Sequence, residues 1–257
     1  MLKVCLLGSF EVKYKGRDIQ ILSRPAQSLF AYLVLNSEIS HRREKLARML
    51  WPDSPETTAR ENLRHNLWRI RKALPSGLAV EYLLADDLTI TFNASAEHWF
   101  DVDVLKKAET CKRADNLISS LSVYQGELLP GFDDEWAILE REYLNFVFEH
   151  NMARLMSMLQ AENRWLDVLE WGERWLSFGQ KPEPAYRALM HAHMEKGDMS
   201  KMAETYTRCI RSLEEMGLEP SEQTHELYEN LKREGCAIPE RKGGSGKIIQ
   251  KRTQKTR

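Results

Sequence analysis

Residues 61–74 read ENLRHNLWRIRKAL, and this stretch constrains the fold more than any other. At about 100° per residue, Leu63, Leu67, Ile70 and Leu74 fall within roughly 60° of one another, so the segment is a helix with one narrow apolar stripe. Such a helix must dock on one side only. His65, Trp68 and Lys72 point away from the stripe, and Arg64 and Arg69 stand on its two shoulders. Taken alone, that cationic face is either simply solvated or meets an anionic partner, and the flanking segments have to decide between the two.

Those flanks have a definite order. LKVCLLG (2–8) and FEVKYKG (10–16) are short β-rich runs punctuated by Gly8 and Gly16, and residues 18–22 offer a third strand. The period then changes. Pro25 suits a helix start, and Ala26, Leu29, Phe30 and Leu33 follow at helical spacing. Ser40 is placed to cap a second helix, HRREKLARML, with Leu46, Met49 and Leu50 inward. Ser54-Pro55-Glu56-Thr57 has the make-up of a third helix start: a capping hydroxyl, a proline at the first position and a carboxylate in the first turn. That helix ends at Pro75-Ser76-Gly77, and residues 80–93 predict two strands around a turn at Ala85-Asp86-Asp87. Strands, three helices and a terminal hairpin are the order of a winged helix-turn-helix, whose third helix packs by one seam and lays its other face in the DNA major groove. In this context the cationic face reads as a DNA-binding surface.

Charge is unevenly distributed. Residues 1–100 carry 14 basic against 11 acidic side chains, residues 101–238 carry 16 against 26, and residues 239–257 carry 7 against 1. Within the first part, residues 42–72 alone have 9 basic and 4 acidic side chains, a candidate phosphate-binding footprint. The acidic stretch should repel nucleic acid and is better suited to protein partners. No run of 18 apolar residues exists, and the opening LKVCLLG is too short and unflanked for a signal peptide. The four cysteines, at 5, 111, 209 and 236, form no CxxC pair, which fits buried thiols in a reducing cytoplasm.

From Trp99-Phe100-Asp101 onward the pattern is nearly all helical. Residues 135–160 put Trp136, Leu139, Tyr143, Phe146 and Val147 on one face. Two later segments, ENRWLDVLEWGERWLSF and KGDMSKMAETYTRCIRSL, align with a 34-residue offset that matches Asn163 to Gly197, Leu169 to Ala203 and Trp175 to Cys209. That is the tetratricopeptide (TPR) spacing, although several consensus positions are missing. The expected architecture is therefore mainly α with a small β component: an N-terminal winged helix-turn-helix over 1–97, an all-α TPR-like domain over 98–238, and a basic disordered tail over 239–257. The tail's GGSGK is not a phosphate loop, because Lys242 stands where the first glycine of GxxxxGK belongs and Ile248 replaces the Ser/Thr.

Several stretches together resemble the bacterial transcriptional activator domain (BTAD), or SARP-like, regulators, which carry a response-regulator-type winged helix-turn-helix. They are LLGSFEV near the start, LARMLWPD at 46–53, ARENLRHNLWRIRKAL at 59–74, YQGELLPGF followed by DDEW at 124–136, and ALMHAHMEKGDMSKMAETYTRC with LEEMGLEPSEQT at 188–224. The resemblance covers about residues 1–234 and implies an activator that binds promoter repeats and engages RNA polymerase. It places the recognition helix at 58–74, with Asn62, Arg64, His65, Trp68, Arg69 and Lys72 as groove-side candidates for either base edges or phosphates. Arg24, Arg42 and Arg43 are expected on the DNA backbone. Trp51, Asp53 and Ser54, between the second and third helices, are candidates for a polymerase contact or simply a packed, capped turn. Asp86 and Asp87 depart from the basic tip usual in winged helices, so a minor-groove role for this wing is doubtful.

Other signals point nowhere chemical. His191 and His193 lie about 200° apart on a helix and make no metal pair. Trp165, Trp171 and Trp175 fit helix packing, and Asp133, Asp134 and Glu135 fit the positive end of a helix. No catalytic constellation is recognisable, and neither a cofactor nor a membrane contact is expected. The reading is a cytoplasmic, non-enzymatic activator whose partners are double-stranded promoter DNA, RNA polymerase and, through the TPR-like part, a second copy or another protein. The competing reading is a TPR-like scaffold whose basic helix is only solvated.

Overall fold

The structure is a computed structural model and describes residues 1–237 except 38, 76 and 179–181. The basic tail and its GGSGK therefore lie outside the described residues. The chain divides into two compact units, one spanning Met1–Arg164 and one beginning at Trp165. The boundary expected near residue 97 falls inside the first unit.

That unit opens with β1 (Leu2–Cys5), β2 (Glu11–Tyr14) and β3 (Arg17–Asp18). β3 is shorter than expected; Ile19 and Ile21 beyond it are buried outside any strand. Three helices follow: α1 (Arg24–Leu35), α2 (Arg43–Leu50) and α3 (Glu56–Ala73), with the two-residue β4 (His41–Arg42) before α2. The short α4 (Leu78–Tyr82) leads into a hairpin of β5 (Leu83–Ala85) and β6 (Thr89–Phe92), which pairs with β4 to form a three-stranded wing sheet. β7 (His98–Phe100) returns to the first sheet and pairs with β1 in parallel, giving the order β3-β2-β1-β7.

Two expected caps are corrected. His41 pairs with Ile90 across the wing sheet, so the second helix begins two residues later than expected, with Arg42 and not Ser40 at its N-cap. Pro55, not Ser54, occupies the N-cap of α3, and no side chain caps either helix. Glu56 does stand in the first turn of α3, where a carboxylate favours the positive helix end.

The apolar seam of α3 is buried as its spacing requires: Leu63, Leu67, Ile70 and Leu74 are all at most 4% exposed. Behind it, Phe30 of α1 meets the rings of Phe10 and Phe92 edge-on at 6.4 and 6.3 Å, and Phe92 meets Phe100 at 5.4 Å. These contacts join both sheets to the helices, and edge-on geometry is the preferred aromatic arrangement.

After β7 come α5 (Asp101–Lys106), a 3-10 turn, α6 (Ala114–Leu121) and the long α7 (Glu135–Ala161). Asp101 is 1% exposed, and its carboxylate accepts the backbone N–H groups of Leu6, Leu7 and Val102 at 2.8, 2.9 and 2.8 Å. Burial pushes its pKa up, while those three amides pull it down. The loop before α7 is held just as closely. Gly8 N–H donates to the Glu127 carbonyl and Leu129 N–H to that of Leu6, both at 2.9 Å. A Cβ built on Gly8, at φ +89°, would lie 2.8 Å from the Gln125 carbonyl oxygen, so glycine is required there. The Arg141 guanidinium on α7 donates to the carbonyls of Leu128, Leu129 and Phe132 and closes the loop.

The apolar row that the sequence shows on α7 is not its inner face. Leu139 and Phe146 are 62% and 66% exposed and Tyr143 is also exposed, whereas Leu144, Val147, Phe148, Met152, Leu155 and Leu159 are buried. Of the row Trp136, Leu139, Tyr143, Phe146 and Val147, only Val147 is in the core. The true row passes through Asn151, fully buried with its amide donating to the Val147 carbonyl, and that polar residue disguises it.

The second unit contains α8 (Trp165–Ser177), α9 (Glu183–Glu195), α10 (Met199–Glu214) and α11 (Glu222–Ala237). Starts of α8 and α10 are 34 residues apart, as the repeat requires. Asn163 and Gly197, matched in the sequence, both adopt left-handed backbone, at φ 56° and 73°. Each closes the preceding helix in the same way: Arg164 N–H donates to the Leu159 carbonyl and Asp198 N–H to that of His193, both at 2.9 Å, a Schellman closure. Trp171, Trp175 and Cys209 are buried, as packing residues should be.

Asp101→Asn places an amide donor where one of three backbone N–H groups must find an acceptor. Urea unfolding should show a loss of about 1–3 kcal/mol, the cost of one unsatisfied buried donor.

Candidate nucleic-acid interface

Ala59, Leu63, Asn66, Leu67 and Ile70 bury one side of α3. Arg64, His65, Trp68, Arg69, Arg71 and Lys72 are all exposed on the remainder. Arg60 lies on the same helix but is paired with Glu44 and Glu56 at 2.8 and 2.5 Å. Among the described residues no carboxylate pairs with Arg64, Arg69, Arg71 or Lys72, so α3 presents a cluster of uncompensated cations.

Some groups on this face hold one another. The His65 and Trp68 rings stack with centroids 5.9 Å apart at 21°, and Lys72 Nζ sits 4.9 Å from the Trp68 ring centroid. At the shoulder, Arg69 Nη1 donates to Ser23 Oγ at 2.7 Å, and Ser23 Oγ donates to the Asn66 side-chain oxygen at 3.2 Å. The Asn66 amide in turn donates to the Asn62 carbonyl at 2.9 Å. This polar chain ties the start of α1 to the middle of α3. It includes two residues the sequence reading missed, Ser23 and the buried Asn66. Asn62 itself is half-buried at the helix flank.

The remaining expected positions are distributed around the helix. Arg42 is exposed on β4. Arg43 Nε donates to the Asp86 carbonyl at 2.8 Å, so this cation braces the wing turn. Arg24 places its guanidinium 4.3 Å from the Phe132 ring centroid, next to the loop that precedes α7. Trp51 is half-buried at the C-cap of α2, Ser54 N–H donates to the Trp51 carbonyl at 3.2 Å, and Asp53 is exposed in the turn between them. Trp51 and Pro52 line a groove of about 820 Å³ with Arg24, Arg48, Trp136 and Leu139. Arg71, which the sequence reading did not single out, lines a second cleft of about 630 Å³ against Leu84, Thr89 and Thr91 of the wing.

Asp86 is exposed, and its carboxylate is engaged by its own turn. Its carboxylate accepts the N–H groups of Leu88 and Thr89 at 2.7 and 2.6 Å and the Thr89 hydroxyl at 3.1 Å. Hydrogen bonds from Thr89 and Leu88 hold its pKa below the ordinary 3.8.

A winged helix-turn-helix with a cationic third helix, followed by helical hairpins, is the architecture that the sequence resemblance implied. The bacterial transcriptional activator domain family model matches residues 102–232, and the chain belongs to that family. Among solved structures, EmbR of Mycobacterium tuberculosis, determined in complex with a low-affinity phosphopeptide, shares the fold with a TM-score of 0.69 at 18% identity. The match covers 91% of this chain and 65% of that one, so the chain spans just under two thirds of EmbR. No curated protein matches the sequence. Among the described residues no helix is long and apolar enough to cross a membrane.

Two outcomes test this geometry. Asn66→Ala should cost about 1–2 kcal/mol in chemical denaturation, since it strips a buried hydrogen-bonded link between α1 and α3. Because the Asp86 pKa is depressed, its contribution to the wing turn is present above the ordinary value of 3.8 and lost as pH falls through the folded pKa. The Leu88 and Thr89 amide resonances should therefore shift together with the Asp86 carboxyl in an acid titration.

Proposed function

We propose that this regulator binds double-stranded promoter DNA through the exposed face of α3 and activates transcription by contacting RNA polymerase at the turn formed by Trp51, Asp53 and Ser54. The observation that carries the reading is the cluster of Arg64, Arg69, Arg71 and Lys72. These cations lie on one helix seated by a buried seam, and among the described residues no carboxylate pairs with them. A duplex phosphate backbone is the partner such a face favours, and a groove-inserted helix requires the rigidity that the seam provides. Arg64 and Arg69 flank the helix where phosphates run, and Arg42 extends the same footprint. Arg43 and Arg24 are engaged by the wing turn and by Phe132, so their contribution is to support the interface, with phosphate contact secondary. The protein acts in the cytoplasm without chemistry of its own. Its helical hairpins, together with the exposed Leu139, Tyr143 and Phe146 on α7, serve contacts with a second copy or another protein.

Selection of duplexes from a random pool, at low and near-physiological salt, tests the reading. A recurring motif that survives the higher salt supports it; a folded protein that enriches nothing favours the scaffold reading. With about six phosphates neutralised, log K should fall against log salt with a slope near −5. The double variant Arg64→Ala/Arg69→Ala should reduce that slope by about 2. Unchanged binding by this variant, shown folded by circular dichroism, overturns the site assignment.

A further inference from the structure

The outermost ridge of α3 has a chemistry that phosphate binding does not explain. With its buried side fixed by Ala59, Leu63, Asn66, Leu67 and Ile70, rotation by about 100° per residue puts Glu61, His65, Trp68 and Lys72 within about 60° of one another, opposite that side. Arg64 and Arg69 lie to either flank. In a helix seated in a major groove, the flanks meet phosphates and the outermost ridge meets base edges. Three of the four ridge residues are polar or ionisable. The fourth is a tryptophan that stays 54% exposed.

Two neighbours on the helix engage that indole. His65 stacks against it from one turn before, and the Lys72 ammonium sits over its ring from one turn after. A cation over an indole face and a parallel imidazole both favour one side-chain orientation. The result is a pre-positioned apolar surface at the point of α3 farthest from the core. Water is a poor partner for such a surface. Among the groups that the four unmodified base pairs show in the major groove, the apolar one is the thymine C5-methyl.

We infer that Trp68 is a specificity-determining residue that reads a thymine through its methyl group, so that each bound copy prefers a T·A pair at one position beneath the middle of α3. The inference rests on the DNA-binding reading and deepens it. Arg64, Arg69 and Lys72 supply affinity, while Trp68 supplies discrimination at a base pair that no hydrogen bond needs to reach.

Deoxyuridine scanning tests it, because replacing one thymine by uracil removes the methyl and keeps the pairing and the O4 acceptor. The probes are the duplex recovered by selection and a set in which each thymine in turn is replaced. The full chain should lose affinity about fourfold at one position per copy bound, the effect of one buried methyl group. Trp68→Ala should bind parent and substituted duplexes equally. Trp68→Gln keeps helix propensity and lacks an apolar ring, and it should behave as Trp68→Ala does even if the alanine variant proves unstable. The inference is overturned if no position is sensitive in the wild-type chain, or if the sensitivity persists in both variants. A wild-type chain that recovers no duplex overturns instead the DNA-binding reading on which the inference stands.

Discussion

The buried carboxylate of Asp101 is the constraint on which the arrangement of the first unit depends. It sits where β7 ends and α5 begins, and it accepts two amides from the segment that leaves β1, ninety-four and ninety-five residues earlier. A carboxylate this deeply buried is tolerable only because backbone donors replace its lost water. The same segment is gripped from the other side by the loop that precedes α7, through the Leu7–Leu128 bridge and the close approach of Gly8 to Gly126. The strand that opens the chain is therefore a common support for the winged helix and for α5–α7. A cut near residue 97 would part β1 from β7, which pairs with it, and from the Asp101 carboxylate that accepts the amides of Leu6 and Leu7, and the contacts group residues 1–164 together.

What could be read directly from the sequence was whatever depends on near neighbours in the chain. The α3 seam needs only a 3.6-residue period, and Leu63, Leu67, Ile70 and Leu74 provide it. The wing needs two β-rich runs around an Asp-rich turn, and the repeat needs one left-handed residue at a fixed offset, Asn163 and then Gly197. Misread features depend on distant partners. Asn66 looks like a break in the apolar pattern until Ser23, forty-three residues away, receives it. Asn151 similarly interrupts the buried row of α7, while the large apolar side chains of Leu139, Tyr143 and Phe146 lie exposed. Ser40 and Ser54 were attractive caps, yet pairing of His41 with Ile90 moved the start of α2 beyond the reach of the first, and Pro55 took the N-cap of α3 ahead of the second.

The candidate interface was legible in composition and less so in division of labour. The six groove-side candidates on one helix followed from the family resemblance, and the structure leaves five of them exposed. Separating them further requires side-chain partners that a sequence does not display. Arg69 is braced by Ser23, Arg60 is neutralised by Glu44 and Glu56, and Arg71 faces the wing, although all are arginines of the same helix. An arginine's charge is a property of its type, but its availability is a property of its surroundings.

The wing illustrates the same distinction with the opposite sign. An aspartate at a hairpin tip near a phosphate backbone looks like an obstacle, and Asp87 remains one by position. Asp86 is a different case, because its two oxygens are occupied by the Leu88 and Thr89 amides and the Thr89 hydroxyl, while the Arg43 guanidinium rests on its carbonyl. Here the acidic side chain closes the turn, and a cation from α2 locks that turn to the helical body. Such a wing is shaped by its own hydrogen bonds and gains nothing from phosphate. On the proposed reading, attraction for an anionic surface then falls to α3, whose Arg64, Arg69, Arg71 and Lys72 pair with no carboxylate among the described residues, and selectivity to the ridge between them.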